Sequence, residues 1–447
     1  MRQKLSQIGN PGSSVTNNSK PRGGAGRCGE IARRDALKTL AGAAAASLAQ
    51  PFFSTALFAQ ETKPSPAPAG PPAKNPPWYG FNLLEYFSTD PDWMKYFPYK
   101  DDGMFQEDDF RWIRDWGFNW VRLPMDYRFW TDPNDLMKIN EKRIEPIDRA
   151  IRLGEKYGVH VDICLHRAPG YCILDTLDEK LTGIHITKEK TDLFLDPKTL
   201  DAFVYQWTFF AGRYKGIPSE HLSFNLMNEP LLTHPPANTH TFSNDDWRRY
   251  YGDPDWLKGA AQYTHVARAA VHAIRVIDPQ RLIVTDGLAG GNLPIPMLIE
   301  TGITQSAHTY TPALLTHYHC EWARGFVPLD VSPPTWPLKD AQGKILCDRS
   351  ILDAKLAAWP FELQQKVPIH FGEMGCYKHT PPEVVYAWFD DTLGAIASLG
   401  SGFALWNFRG PFGVLDTERK GTRFEDWHGH QLDRTLLQLL QSRTKSS

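Results

Sequence analysis

From Trp78 onward, short apolar segments alternate with amphipathic ones, and this alternation constrains the fold more than any other feature of the sequence. The apolar segments are rich in β-branched or aromatic residues on both faces, which is typical of buried parallel strands. The amphipathic segments have helical periodicity; Arg143–Tyr157, for example, places Ile144 and Ile151 on one face. The predicted strands are Trp78–Leu84, Asn119–Met125, His160–His166, Leu222–Asn228, Leu282–Gly287, Thr304–Tyr310, Pro368–Gly375 and Gly402–Phe408.

Eight strand–helix units predict an α/β fold, namely a (β/α)8 TIM barrel with long strand-to-helix loops. A doubly wound sheet is the structural alternative, and it typically has a Gly-rich phosphate-binding turn after its first strand. The segment Gly80–Leu84 is not such a turn. Glycines at the predicted helix ends favour left-handed C′ positions there, and they are Gly117, Gly158, Gly216 and Gly400.

The connections that follow strands are much longer than those that follow helices. Three of them stand out: His166 to about Thr199, Pro230 to about Trp256, and Tyr310 to about Ile351. In a barrel, all loops of this kind lie on the C-terminal face of the strands, where active sites are found. Insertions of this length can block one end of a cleft at that face.

The composition excludes several classes of function. With 49 Lys and Arg against 51 Asp and Glu, the formal net charge is −2, and no basic block points to nucleic acid. Beyond the N-terminal region there is no run of about 18 apolar residues, so a multi-span membrane protein is excluded. We expect a monomer with no cofactor and no metal. Five cysteines follow the N-terminal region, an odd number, and a Cys164–Cys172 disulfide is one possibility.

The N-terminal region resembles a twin-arginine export signal. Arg33 and Arg34 precede a weakly apolar, Ala-rich segment from Thr39 to Ala59. A disordered basic tail beside an incidental Ala-rich helix is the alternative. The resemblance implies export to the periplasm or the extracellular space, with no membrane association after cleavage. The predicted organisation is a leader (residues 1–60), a Pro-rich linker (61–77) and the barrel domain (78–447).

Six of the predicted strands have a candidate site residue toward their C-terminal end, and in a barrel all of these residues would lie on one rim. They are Arg122 in the second strand, His166 in the third, Asn228 and Glu229 at the end of the fourth, His308 and Tyr310 in the sixth, Glu373 in the seventh and Trp406 in the eighth. Two carboxylates that converge on one cavity are typical of glycoside hydrolysis, in which one is the acid/base and the other a nucleophile or base.

These strand-end motifs resemble glycoside hydrolase family 5. The resemblance rests on Asn228-Glu229-Pro230 and Gly372-Glu373-Met374-Gly375, although Met374 replaces the more usual aromatic residue, and it extends over residues 78–443. It implies a retaining enzyme with Glu229 as acid/base and Glu373 as nucleophile. It also implies that Arg122 keeps the nucleophile ionised, that Tyr310 hydrogen-bonds it with His308 beside it, that His166 and Asn228 contact the bound sugar, and that Trp406 stacks under it.

Two alternatives remain at this point. A metallohydrolase could use His166, His308, His317 and His319 as ligands, but the first strand lacks the paired histidines at which such sites typically begin. A non-catalytic carbohydrate-binding barrel predicts the loss of one carboxylate, and both are present. The expected substrate is a β-linked polysaccharide, in the first place a β-glucan. A β-mannanase or an exo-β-1,3-glucanase specificity on the same residues is the alternative.

Overall fold

The computed structural model describes residues 77–96, 105–231 and 254–444, except for the side chains of Asp255 and Trp256. All of them belong to the unit Ser65–Ser447. The predicted leader and all but the last residue of the predicted linker therefore lie outside the described residues.

Eight parallel strands form a closed barrel, as the sequence predicts. Each strand pairs with the two strands beside it, and β1 closes the sheet by pairing with both β2 and β8. The strands are β1 (Tyr79–Asn82), β2 (Trp120–Asp126), β3 (His160–Ala168), β4 (Leu222–Asn225), β5 (Leu282–Asp286), β6 (Thr304–Thr309), β7 (Ile369–Met374) and β8 (Phe403–Leu405). The predicted boundaries agree with these within a few residues.

Long helices follow seven of the eight strands. They are α1 (Glu107–Asp115), α2 (Glu145–Tyr157), α3 (Pro197–Arg213), α4 (Pro254–Ile277), α5 (Arg349–Glu362), α6 (Pro382–Ser398) and α7 (Arg434–Thr444). Helix α3 begins at Pro197, two residues before the preceding loop is predicted to end at about Thr199, because the Asp196 side chain accepts a hydrogen bond from the amide of Lys198 and Pro197 occupies the first helical position. All four predicted helix-end glycines have positive φ angles.

The fifth strand–helix unit differs from the prediction. After β5 the chain forms only a short helix, Leu288–Gly291, and a 3₁₀ helix, Pro296–Thr301. Ala289 and Gly290 have φ angles of 54° and 67°, which a right-handed α-helix does not accommodate.

The remaining short elements lie in the loops. They are three antiparallel pairs, Thr131–Asp132 with Asp135–Ile139, Leu338–Lys339 with Ile345–Cys347, and Glu425–Trp427 with His430–Leu432, together with Tyr171–Cys172 against the end of β3. Within the described residues no helix is long and apolar enough to cross a membrane.

The N-terminal part of the barrel is packed with side chains. At its N-terminal end, Trp78 stacks on His160 with ring centroids 4.7 Å apart, and His370 packs 4.6 Å from Trp120. Strands β1 and β2 approach each other closely at Gly80, where an added Cβ would lie 1.7 Å from the carbonyl oxygen of Trp120. This packed lower layer leaves only the C-terminal end of the barrel for a site.

The possibility of a Cys164–Cys172 disulfide is wrong. All five cysteines of the barrel domain are free and buried. The Cys164 sulfur faces the barrel interior, 3.2 Å from an Arg122 nitrogen, whereas Cys172 packs in an apolar cluster above the barrel with Leu174 and Ile184. The two thiols therefore face different surroundings.

Candidate active site

Arg122 is the centre of a buried network at the C-terminal end of the barrel. Its Nη1 donates to Glu373 Oε1 at 2.5 Å and to Asn82 Oδ1 at 3.1 Å. Its Nη2 donates to Asn228 Oδ1 at 2.8 Å and to Asp286 Oδ2 at 3.0 Å. The guanidinium therefore fixes side chains that come from four different strands or strand ends.

Glu373 lies in β7 and has a hydrogen-bond donor on each carboxylate oxygen. Besides the Arg122 contact to Oε1, the Tyr310 hydroxyl donates to Oε2 at 2.9 Å. Burial raises the pKa of Glu373, and the cations His308 and Arg122 oppose that rise. Both donors stabilise the ionised form and hold the carboxylate in one orientation.

Glu229 follows β4 and has an unusual backbone conformation, with a φ angle of 46°. Two contacts hold this conformation. The Tyr171 hydroxyl donates to the carbonyl oxygen of Glu229 at 2.6 Å and accepts from the Leu231 amide at 2.8 Å, and the Glu229 amide donates to Asp286 Oδ2 at 3.1 Å. Residues in this region of φ are rare outside glycine and recur at functional sites.

His308 lies between the acidic side chains. Its Nδ1 is 2.9 Å from Glu229 Oε1 and 3.6 Å from Glu373 Oε2, and its Nε2 is 3.2 Å from Asp286 Oδ2. Burial lowers the pKa of His308, but Glu373 and Asp286 together outweigh it and raise the pKa to about 10. The imidazole is therefore a cation at neutral pH.

The two glutamates and His308 form one compact group, in which one ligand atom of each lies within 4.8 Å of the others. Such a set could in principle hold a metal ion. Arg122 already pairs with Glu373 and the His308 imidazolium already contacts both carboxylates, so a dication would have to displace or face two cations. His166, the other histidine here, faces Trp406 instead, so the residues do not fit the metallohydrolase alternative.

His166 and Trp406 form the other part of the site. Their rings stack with centroids 5.8 Å apart, and Phe87 packs edge-on against both, 4.4 Å from His166 and 5.2 Å from Trp406. Burial and the cations Arg122 and Arg167 keep the pKa of His166 well below its usual range, so the ring is neutral. Among the described residues, its Nδ1 has no hydrogen-bond partner.

The structure therefore brings the eight predicted site residues to one end of the barrel. Six form one hydrogen-bonded and ion-paired network, namely Arg122, Asn228, Glu229, His308, Tyr310 and Glu373. His166 and Trp406 make the aromatic pair described above.

Three residues of the site were not predicted: Asn82, Asp286 and Tyr171. Asn82 and Asp286 are polar residues at the ends of β1 and β5, so the strand-end rule applied to all eight strands finds them. Tyr171 lies in the β3 loop, and no pattern in the sequence indicates that its hydroxyl reaches the backbone of Glu229.

Comparison with known proteins gives the same assignment. Residues 75–410 match the family model for cellulase, glycosyl hydrolase family 5. Endoglucanase C of Acetivibrio thermocellus is 23% identical over 344 residues, which cover 71% of this chain and 88% of that protein.

Two solved structures are similar to the barrel. One is the crystal structure of a glycoside hydrolase that is 35% identical, with a TM-score of 0.68 over 82% of this chain and 99% of the other. The other is Cel5A of Thermotoga maritima with mannotriose, 20% identical with a TM-score of 0.55 over 82% and 97% of the two chains, and this likeness concerns the fold. The chain belongs to glycosyl hydrolase family 5, the cellulase family, and is a glycosidase that hydrolyses O-glycosidic bonds.

Proposed function

We propose that this glycosidase cleaves a β-glucan with net retention at the anomeric carbon, with Glu373 as nucleophile and Glu229 as acid/base. The observation that carries the proposal is the separation of the two carboxylates, whose oxygens approach within 4.8 Å. Retaining sites hold their carboxyl groups about 5–5.5 Å apart, whereas inverting sites need about 6.5–9.5 Å to admit a water molecule. Arg122 and Tyr310 further support an ionised, immobile Glu373.

The reaction has two steps. In the first, Glu373 attacks the anomeric carbon, the bond from that carbon to the glycosidic oxygen breaks, and the proton of Glu229 goes to that oxygen. In the second, Glu229 removes a proton from water, the water oxygen attacks the anomeric carbon, and the ester bond to Glu373 breaks. Because His308 Nδ1 donates to Oε1 of Glu229, the transferred proton resides on Oε2.

The charges of the site balance in both steps. At the start, Arg122 and His308 are cations, Asp286 and Glu373 are anions, and Glu229 is protonated. In the intermediate, the esterified Glu373 is neutral and Glu229 has become the anion. The His308 imidazolium lies within 3.6 Å of both carboxylates, so it stabilises whichever one is charged.

The sugar contacts follow from the same geometry. The Asn228 amide is held by Arg122 through its oxygen, and one hydrogen of its Nδ2 makes a long 3.4 Å bond to Glu229 Oε2. The second hydrogen of Nδ2 is left for the sugar 2-hydroxyl. His166 Nδ1 would donate a hydrogen bond to another sugar hydroxyl or accept one from it. Trp406 provides the apolar surface on which the sugar ring stacks. These roles remain proposals that substitution can test one by one.

Proton NMR of the first product tests the proposal. A β-linked substrate should give the β-anomer first, and an initial α-anomer would mean inversion and remove Glu373 as nucleophile. We expect Glu373→Ala to abolish turnover. Glu229→Ala should retain activity on aryl glycosides whose leaving group needs no proton, and added azide should accelerate it and yield a β-glycosyl azide.

The preference for β-glucan is supported by Endoglucanase C, the relative reported above. Mannotriose binds to Cel5A of Thermotoga maritima, so β-mannan belongs in the substrate panel, together with β-1,3-glucan. Initial rates on soluble β-1,4-glucan, β-1,3-glucan and β-mannan decide the specificity. A preference for mannan of tenfold or more would replace the glucan assignment.

We also propose that residues 1–60 are a cleaved leader, that 61–77 are a linker and that the enzyme acts outside the cytoplasm. Arg33 and Arg34 ahead of the Ala-rich segment support this. Replacing both arginines with lysine should leave uncleaved precursor in the cytoplasm. Normal export of that variant would contradict the twin-arginine assignment.

A further inference from the structure

We propose that the enzyme acts at the non-reducing end of its glycan, because one end of the substrate site is closed by a wall of loop side chains. The wall consists of Phe87, Trp93, Ile184, Trp322 and Tyr377, all of which are buried. The inference rests on the proposed function, since it uses the proposed roles of the two catalytic glutamates to orient the substrate.

The side on which the wall lies determines what it blocks. The leaving group departs past the acid/base Glu229, whereas the sugar that becomes attached to Glu373 rests on Trp406. Trp406 belongs to the same apolar cluster as the wall, and Tyr310, the partner of Glu373, packs at its edge. The wall therefore closes the side of the attached sugar, which is the side toward the non-reducing end.

One residue of the wall directly contacts Trp406, the proposed stacking surface for the sugar. Phe87, in the loop after β1, packs against both Trp406 and His166. Trp406 is only 6% exposed, so little of its ring extends beyond the part that a bound sugar would cover. Space beyond the bound sugar is therefore already occupied by a side chain.

Behind Phe87, two long insertions meet. The helix Glu179–Thr182, in the loop after β3, packs against the 3₁₀ helix Glu321–Gly325, in the loop after β6. Arg324 donates to the carbonyl oxygen of Leu181 at 3.4 Å. Strands β3 and β6 are not neighbours in the barrel, so at least one of the two loops extends along its C-terminal face past the strands between them.

The partners of Trp322 show which part of the mouth is crossed. Its ring lies 5.1 Å from Trp93 and 5.0 Å from Tyr96, both after β1, and 5.0 Å from Tyr377, after β7. It also contacts Phe412, after β8, at 6.1 Å. The contact between the two insertions therefore lies above β7, β8 and β1. This is the side of the barrel opposite β4, the strand that Glu229 follows.

Buried ion pairs hold the β3 insertion against the β1 loop. The Arg167 side chain, 2% exposed, contacts Glu189 at 2.9 Å and Asp175 at 3.0 Å within the insertion, and Asp90 of the β1 loop at 3.5 Å. The Thr187 amide also donates to Asp90 at 3.2 Å. Removal of one partner from such a network would leave a buried charge uncompensated. The ion pairs therefore hold the insertion in place, and we do not expect a substrate to displace the wall.

An enzyme that cuts within a polymer must let the chain leave the site on both sides. Here the wall combines side chains from the loops after four strands on one side, so a polymer threaded past Glu373 would collide with it. A terminal sugar fits, because nothing continues beyond it. The substrate class is therefore chain ends, as in short oligosaccharides, rather than the interior of long chains.

Time-resolved product analysis tests the inference. The probe is a β-1,4-linked hexasaccharide labelled at its reducing end, together with a soluble high-molecular-weight β-glucan. We expect one unlabelled mono- or disaccharide from the first time point, labelled products that shorten by that constant step, and release of reducing ends with little loss of viscosity. Labelled products of several lengths at the first time point, with rapid viscosity loss, would overturn the inference.

These outcomes are distinct from failure of the proposed function. Absence of hydrolysis on every glycan and aryl β-glycoside would contradict the proposed function itself. Internal cleavage would contradict only the chain-end inference. Both readings use the wild-type enzyme, so they do not depend on the folding of any variant.

A variant that opens the wall provides a second test. Trp322→Ala should raise the fraction of internal cleavage on the labelled hexasaccharide severalfold, because it removes the ring shared by the loops. Phe361→Ala is the matched control: this aromatic residue is 58% exposed on α5 and should leave the product pattern unchanged. A folded Trp322→Ala enzyme with the wild-type pattern would show that the wall does not limit the site.

Discussion

Asp286 links both cations of the active site to the backbone of the proposed acid/base. It contacts Arg122 and His308 and accepts a hydrogen bond from the Glu229 amide. Burial alone would raise the pKa of Asp286, but His308 and Arg122 hold it well below its usual range, so it stays charged. We therefore regard it as a positioning residue that acts through these three groups.

Asp286→Asn should lower kcat/KM about 100-fold, the order of loss expected when a catalytic group is displaced by about 1 Å. The pKa of His308, about 10 in the wild type, should fall because one of its two main anions is removed. NMR titration of the imidazole checks this shift. Asp433→Asn is the control, since Asp433 is also buried but caps α7 away from the site. An unchanged His308 pKa in folded Asp286→Asn would contradict the assignment.

We expect Arg122 to have a structural role as well as its proposed role in the chemistry. Arg122→Met leaves Glu373 and Asp286 buried with His308 as the cation near both of them, and removal of one partner from such a buried network typically costs about 3–5 kcal/mol of unfolding free energy. We expect that loss in denaturant unfolding, together with a fall in kcat.

Arg281→Met separates the two effects in Arg122→Met. Arg281 is equally buried, but it donates to the carbonyl oxygens of Leu222 and Tyr214 at the other end of the barrel. The Arg281→Met enzyme should be less stable than the wild type but keep the wild-type kcat. If Arg122→Met keeps wild-type turnover, Arg122 has no part in the chemistry.

For single residues, the sequence was most informative at the C-terminal ends of the strands. All eight predicted site residues lie at the same end of the barrel because parallel strands of a closed sheet end on one rim. The left-handed backbone of Glu229 could not be predicted, because it depends on contacts with Tyr171 and Asp286 from distant parts of the chain.

Between elements, the approach of β1 to β2 depends on one glycine. Gly80→Ala would place a Cβ 1.7 Å from the Trp120 carbonyl oxygen and 2.6 Å from its carbon, so the strands must separate. We expect a loss of more than about 4 kcal/mol, at the upper end of single substitutions, or failure to accumulate folded protein.

Gly212→Ala in α3 is the matched control for Gly80→Ala. An added Cβ there meets nothing within 4 Å, and the helix should gain about 0.5–1 kcal/mol. Thermal unfolding of both variants compares them. Equal stability of Gly80→Ala and the wild type would mean that the two strands are further apart than described.

The elements themselves were predictable because barrel strands and amphipathic helices have distinct periodicities. The fifth unit was not, since a strand followed by Gly287 and Gly290 has the same local pattern whether or not a long helix follows. The meeting of the β3 and β6 insertions was also beyond the sequence, which indicated only that both were long. Contacts between loops depend on where the whole barrel places them.

For the whole molecule, buried histidines predict a loss of stability in acid. Burial lowers the pKa of His160 and His317 to about 4 and of His370 to about 3, from a usual value near 6.5. Their neutral forms are native, so their contribution is present above about pH 6.5 and is lost as the pH falls toward 4. Each contributes a slope of up to about 1.4 kcal/mol per pH unit.

Two other buried groups have a raised pKa in the folded protein, so their contributions to stability are lost as the pH rises. The pKa of His308 is raised to about 10, so its contribution is complete below about pH 6.5 and is lost toward pH 10. Burial raises the pKa of Asp162 to about 7, so its contribution is lost between about pH 4 and 7. Below pH 6.5 these three histidines act against Asp162, and so does His166, whose pKa burial also lowers, so we expect maximal stability near neutral pH.

Urea unfolding from pH 4.5 to 9 measures this profile. His370→Leu should flatten the acid side, because one fewer buried group must take up a proton. His272→Leu, on the exposed face of α4, should leave the slope unchanged. An acid side that is equally steep in His370→Leu and the wild type would contradict the assignment.

The pairing of β1 with β8 has a consequence for synthesis of the chain. Asn82 donates to the carbonyl oxygen of Leu405, 323 residues further along the sequence. A growing chain therefore has two unpaired sheet edges until its last strand emerges, and such edges are where another chain can add. Contacts of such long sequence separation also form slowly. Emergence of the last strand, Phe403–Leu405, thus ends the period in which the nascent barrel is most exposed to aggregation.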